Sequence, residues 1–71
     1  AEAAETGERL AWLHLAMDRL TPPELRETLV LVLEGLSHAE VAEVQGLSEG
    51  TVSWRVSQAK RKLRAMMEAE A

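Results

Sequence analysis

The stretch from Ser37 to Arg64, SHAEVAEVQGLSEGTVSWRVSQAKRKLR, is punctuated so closely that few folds accept it. Ser37-His38-Ala39-Glu40 has the form of a capping box. The serine hydroxyl accepts from the amide three residues on, and the glutamate reaches back to the serine amide. The helix it opens is expected to bury Val41, Ala42 and Val44 and to stop at Gly46, where a left-handed backbone costs nothing. Leu47 then packs under the turn and Ser48 caps a second helix. Val52, Val56, Ala59, Leu63 and Met66 or Met67 recur in that helix at spacings of three and four, an inward apolar stripe. Gly50, a poor helix former, would permit a close approach of backbone to a phosphate or to a neighbouring helix. A short helix, a tight turn and a longer helix with a basic end make a helix-turn-helix, whose second helix is suited to the DNA major groove.

The upstream half reads as packing for that unit. Residues 1–7 are small and acidic with Gly7, and a flexible N-terminal end is expected there. From Glu8 a first helix runs to about Leu20, with Leu10, Leu13, Met17 and Leu20 on its apolar stripe. Trp12 and Leu15 lie on its flank, Trp12 as a core-edge residue. Thr21-Pro22-Pro23-Glu24 predicts the next start: Thr21 as cap, Pro22 at the first helical position, Glu24 closing a capping box. The helix that follows carries Leu25, Leu29, Val32 and Leu36 on one face and ends near Gly35. Its run Leu29–Leu33 is apolar all round, which predicts burial on more than one side. The fold class is therefore all-α: four helices, no strand, one domain over residues 8–71.

Composition excludes several classes of function. Seventy-one residues make one small domain, and 46% apolar content is ample for a helical core. The absence of cysteine removes disulfides, zinc-finger sites and thiol chemistry, and fits a cytoplasmic protein. No apolar run approaches membrane-spanning length, and the acidic N-terminus is unlike a signal sequence, so no membrane partner is expected. The first residue is Ala rather than Met, which suggests an excised domain or a processed product. His14 and His38 lie far apart and have no recognisable metal partners. No Gly-rich phosphate loop and no nucleophile–base pair is present, so neither an enzyme nor a cofactor is expected.

The net charge of −4 is unevenly spread. Residues 1–49 hold three arginines (Arg9, Arg19, Arg26) against ten acidic groups, a balance of −7. Residues 50–71 hold Arg55, Lys60, Arg61, Lys62 and Arg64 against Glu68 and Glu70, a balance of +3. Screening limits fields to about 10 Å at moderate salt, so a phosphate meets the local charge rather than the sum. The acidic half should still weaken non-specific DNA binding.

At about 100° per residue, Ser53, Trp54, Ser57, Gln58 and Arg61 point away from the Val52–Val56–Ala59 stripe, Trp54 by about 200° from Val52. These side chains suit DNA. Gln58 can form two hydrogen bonds with adenine, Ser53 and Ser57 can reach base edges or phosphates, and Trp54 offers apolar contact to thymine methyls or sugars. Thr51 and the amides that open the helix suit a phosphate. Arg55, Lys60, Arg61 and Arg64 can flank the groove as phosphate clamps. Each residue also has a plainer role: late basic residues complement the helix dipole, and an exposed tryptophan suits the centre of a protein interface. It is their conjunction with the turn at Ala42, Gly46 and Val52 that favours DNA.

At these residues the sequence resembles region 4 of the extracytoplasmic-function sigma factors of bacterial RNA polymerase, over roughly residues 10–65. The shared features are the proline-containing helix start, EGLS, an acidic-Ala helix, GLSEGTV and an R-x-x-x-A-(K/R)-(K/R) tail, here Arg55, Ala59, Lys60 and Arg61. The resemblance implies a winged-helix-like domain without a wing that recognises the −35 promoter element, docks on the β flap of RNA polymerase and is controlled by an anti-sigma factor. It places Ser53, Trp54, Ser57 and Gln58 at base-reading positions and Arg55 at a backbone contact. The Leu29–Leu33 helix and Trp54 become candidate docking surfaces for polymerase or the inhibitor. The LuxR-type DNA-binding domain shares EGLS and GLSEGTV, but usually has Ile where Ala59 stands and lacks the basic run through Arg64. Many sigma factors carry Lys or Arg at the positions of Ser53 and Gln58, so this groove-facing surface is less basic, which leaves room for a sigma-like decoy that binds an anti-sigma factor. No counterpart of the promoter-melting region 2 is present in the sequence, so this chain is expected not to initiate transcription alone.

Overall fold

The computed structural model describes the backbone of residues 2–70 and the side chains of residues 7–69. Four helices follow one another: α1 (Glu2–Asp18), α2 (Pro23–Leu33), α3 (His38–Gln45) and α4 (Glu49–Glu70). No strand occurs among the described residues. With 22 residues, α4 is about 33 Å long and sets most of the 40 Å long axis of the domain. It packs chiefly on α2 and α3, and less on α1.

The apolar stripe of α4 serves two cores. Its first half, Val52 and Val56, closes on Val41 and Ala42 of α3, with Leu31, Val32, Leu36 and Leu47 around them. Its second half, from Ala59, closes on Met17 of α1, on Leu20 in the linker that follows, and on Leu25 and Leu29 of α2, with Leu13, Val30, Leu63 and Met66 at the edge. The short helix α2 supplies both cores from different faces, which is why its apolar run is nearly continuous. Between them sits Thr28, wholly buried, its hydroxyl donating to Oε1 of Gln45 in α3 at 2.8 Å.

Several boundaries differ from the sequence reading. The first helix begins at Glu2 rather than Glu8, so it takes in most of the N-terminal stretch; Ala1 lies outside the described residues. Ala and Glu are strong helix formers, and the one unfavourable residue, Gly7, costs only about 1 kcal/mol relative to Ala. The expected Thr21–Glu24 capping box does not form. Pro22 is the N-cap, in extended conformation with ψ 162°, and no side chain caps that end. The cause is the second proline: a residue that precedes proline is driven out of the α region, so Pro22 cannot be the first helical residue and Pro23 takes that place. Thr21 then lies outside the helix, where its carbonyl accepts from the ammonium of Lys62 on α4.

Burial departs from expectation at three apolar residues. Leu10 is 53% exposed: the inward residues here are Leu13, Ala16 and Met17 of α1 and Leu20 beyond it, and Leu10 belongs to neither core. Leu33, 58% exposed, is the one member of the Leu29–Leu33 run left outside both cores. Val44, expected inside, is 65% exposed: with Val41 and Ala42 inward, the next inward position is Gln45, which Thr28 engages. Met66 is the inward methionine of α4, and Met67 faces out.

Replacing Thr28 by Val keeps the shape of this buried side chain and removes its hydrogen bond. Urea unfolding should show a loss of about 1 kcal/mol. An unchanged midpoint and slope would mean that the Thr28–Gln45 bond contributes no net stability.

Candidate nucleic-acid interface

The joint between α3 and α4 is built by local hydrogen bonds that the sequence dictates. The Glu40 amide donates to Ser37 Oγ at 3.1 Å and the Ser37 amide donates to Glu40 Oε1 at 2.9 Å, so the predicted capping box is complete. Gly46 closes the helix in left-handed conformation, φ 68° and ψ 36°. A Cβ there would meet no neighbouring atom, so glycine is required by the backbone angle rather than by space. The Leu47 amide returns to the Ala42 carbonyl at 2.9 Å. Ser48 then caps α4: its Oγ accepts from the Thr51 amide at 3.1 Å, and its hydroxyl proton goes to Thr51 Oγ1 at 2.9 Å.

With both ends fixed, the stripe of α4 determines what faces outward. Ser53, Trp54, Ser57, Lys60, Arg61 and Arg64 are exposed, Trp54 by 61%. Trp54, Ser57 and Arg61 lie nearly opposite Val52 on the helix, with Ser53 and Arg64 to one side and the half-buried Gln58 to the other. Neighbours three and four apart on this face have Cβ atoms about 5–6 Å from each other, so Trp54 adjoins Ser57 and Gln58, and Arg61 adjoins both.

Two of the sequence candidates stand apart from this group. Arg55 is half-buried and, seven residues before Lys62, faces the same flank as that lysine, which is tied to Thr21. The Thr51 amide is taken by the Ser48 cap, so the phosphate site expected from the amides that open α4 is without that donor; the Thr51 hydroxyl proton remains available. Gly50 has only the Ser48 hydroxyl oxygen near the space of a Cβ, at 4.0 Å, so no neighbouring helix makes use of its small size.

The structure also brings in His38, for which the sequence shows no metal partner. Nδ1 of His38, the first residue of α3, lies 2.9 Å from Oγ of Ser53 in the second turn of α4. The two are fifteen positions apart, and no local pattern signals the pair. Elsewhere, Arg26 pairs with Asp18 across the α1–α2 linker at 3.2 Å. Trp12, Leu15, Ala16, Arg19 and Met66 line a shallow groove between α1 and the end of α4, away from the outward face described above. Among the described residues, no cluster of His, Asp or Glu could hold a metal ion, and no helix is long and apolar enough to cross a membrane.

Helix, glycine-closed turn and capped second helix, with a polar and basic outer face on that second helix, define a helix-turn-helix domain. The family described as "Sigma-70, region 4" matches residues 10–63, which is 54 of the 71 positions. The chain belongs to the sigma-70 region 4 family, DNA-binding domains of transcription sigma factors rather than enzymes. Comparison with curated proteins and with solved structures gave no match.

The capping box makes the start of α3 sensitive to acid. The Ser37 amide, and then the Ser37 hydroxyl, hold the Glu40 carboxyl below its ordinary value. Its folded-state pKa being the lower, the cap contributes stability above the ordinary glutamate range and loses it as pH falls through the folded value. Glu40→Gln keeps an acceptor for the Ser37 amide without a titration. Its melting temperature should therefore fall less steeply than wild type between neutral pH and pH 3. Parallel curves for the two proteins would show that the box does not respond to acid.

Proposed function

We propose that this chain is the promoter-binding domain of an extracytoplasmic-function sigma factor, acting in the cytoplasm. It recognises the −35 element through the outer face of α4 and docks on the β flap of RNA polymerase. The observation that carries this reading is the state of that face. Ser53, Trp54, Ser57 and Arg61 are exposed and Gln58 is half-buried beside them, while the Ser37, Gly46 and Ser48 joints fix the helix beneath. Gln58 and Ser57 read base edges, Trp54 packs on thymine methyls or sugars, and Lys60, Arg61 and Arg64 hold phosphates. Thr51 offers a hydroxyl, and Arg55 a guanidinium, at the margins of the contact.

A second reading has one observation in its favour. Trp54 and Val44 are large apolar residues exposed on neighbouring helices, and exposed tryptophans concentrate in protein interfaces. An anti-sigma factor that covers them would control the domain, or, for a decoy with little DNA affinity, would be its sole partner.

Titration of promoter duplexes at several salt concentrations separates the two. DNA recognition gives a log–log salt slope of about −0.9 per phosphate contact, and Arg61→Ala flattens it by about 1. Gln58→Ala relaxes the preference at one base pair, costing about 1–3 kcal/mol on the preferred sequence. Equal losses on every sequence would remove Gln58 from base reading. No specific duplex bound even at low salt, together with tight binding to an anti-sigma factor, would establish the decoy.

A further inference from the structure

We propose that His38 is a positioning residue for Ser53: by holding the serine hydroxyl, it sets whether Ser53 presents a lone pair or a proton to the DNA, and so which base edge is preferred there. The inference rests on the reading of α4 as the recognition helix. It starts from the 2.9 Å contact between His38 Nδ1 and Ser53 Oγ, a side-chain bond that joins the first residue of α3 to the outward face of α4.

A serine hydroxyl has one proton and two lone pairs, and it rotates to suit its partners. Left alone on a helix surface, it meets an amino group or a carbonyl oxygen equally well and discriminates little between bases. The imidazole nitrogen ends that freedom. When Nδ1 is unprotonated, the serine must donate to it, and its outward side is acceptor only, matched to adenine N6 or cytosine N4. When Nδ1 carries the proton, the ring donates to Oγ, and the serine proton turns outward to guanine O6 or N7, thymine O4 or a phosphate oxygen. In the first state the hydroxyl has one role instead of two; in the second it keeps its proton and one lone pair, with one acceptor direction taken by the ring.

The ring is itself held in place. His38 follows Ser37, whose capping box with Glu40 fixes the first turn of α3, and the Glu40 carboxylate is occupied by the Ser37 amide at 2.9 Å. His38 is half-buried, whereas Ser53 is exposed, so the anchor lies on the protein side and the hydroxyl on the open side. The wall of the recognition surface is thus supplied by α3 and not by α4 alone. This bears on how a face with few charges can still select a sequence: a hydroxyl whose proton is committed to the ring accepts only, and so tells an amino group from a carbonyl oxygen.

The test is a double-mutant cycle read on a panel of duplexes carrying every base pair at each position of the bound site. His38→Ala should lower the preference at one base pair by about three- to tenfold, the worth of one oriented hydrogen bond, with the salt slope unchanged. In a Ser53→Ala background, the same change should have no effect on any duplex, because the group it orients is gone. His38→Asn, which carries a hydrogen-bonding atom close to the place of Nδ1, should restore the preference. Helicity and melting temperature of each variant confirm that it folds.

Losses spread equally over all duplexes, or an effect of His38→Ala that persists without Ser53, would overturn the proposal and leave His38 a stability residue. If wild type selects a sequence and His38→Ala selects it equally well, the positioning role fails while the function stands. If wild type selects none, the function fails and the positioning role with it.

Discussion

The domain depends on the single apolar stripe of α4. Val52 and Val56 at one end and Ala59, Leu63 and Met66 at the other belong to different cores, filled by different helices, yet they lie on one straight face. A helix pinned along so much of its length cannot roll. A rotation that relieved one core would expose the other, and each buried aliphatic side chain resists by about 1.5–3 kcal/mol. The outward direction of Trp54, Ser57 and Arg61 is therefore decided by residues that never meet a ligand.

That stripe fixes rotation; the joint before it fixes angle. Gly46 turns the chain in a conformation closed to most side chains, and Ser37 and Ser48 satisfy amides that α3 and α4 would otherwise leave unbonded. A longer-range bond, from the buried Thr28 to Gln45, ties the last turn of α3 to α2, so α3 is held at both ends. His38 then reaches Ser53 from a helix that has little freedom left. The polar bonds and the apolar stripe constrain different degrees of freedom, which is why both are present in so small a domain.

What could be read from the sequence follows the range of the interactions. The capping box at Ser37, the left-handed Gly46, the Ser48 cap and the α4 stripe are all encoded within four residues or so of where they act, and each appears where it was expected. The start of α2 failed at short range too, because the rule for a capping threonine competes with the rule for a residue before proline, and the steric rule prevails. The exposed Leu10, Leu33 and Val44 failed for a different reason: periodicity tells which residues share a face, but not how far the partner helix extends. Of the candidate site, the outward set was legible from the helical period alone. The Thr28–Gln45, Lys62–Thr21 and His38–Ser53 bonds were not, since each joins residues 15 to 41 positions apart.

These long-range bonds also alter the electrostatics. Of the five basic residues in the last third of the chain, Lys62 is committed to the Thr21 carbonyl, and Arg55 shares its flank, half-buried. Lys60, Arg61 and Arg64 remain exposed on α4. Three phosphate contacts correspond to a log–log salt slope of only about −2.7, modest for a DNA reader. The acidic groups of the first forty-nine residues oppose even that at long range. On the proposed reading, a domain with so small a counterion-release term gains little affinity for arbitrary DNA, and its discrimination resides in short-range groups whose geometry is fixed. Ser53, Trp54, Ser57 and Gln58 are neutral, lie on the one helix that cannot roll, and include a hydroxyl held from α3. On the proposed reading, weak general attraction and rigid neutral contacts are two sides of the same arrangement: the less the phosphates contribute, the larger the share of binding that depends on the bases.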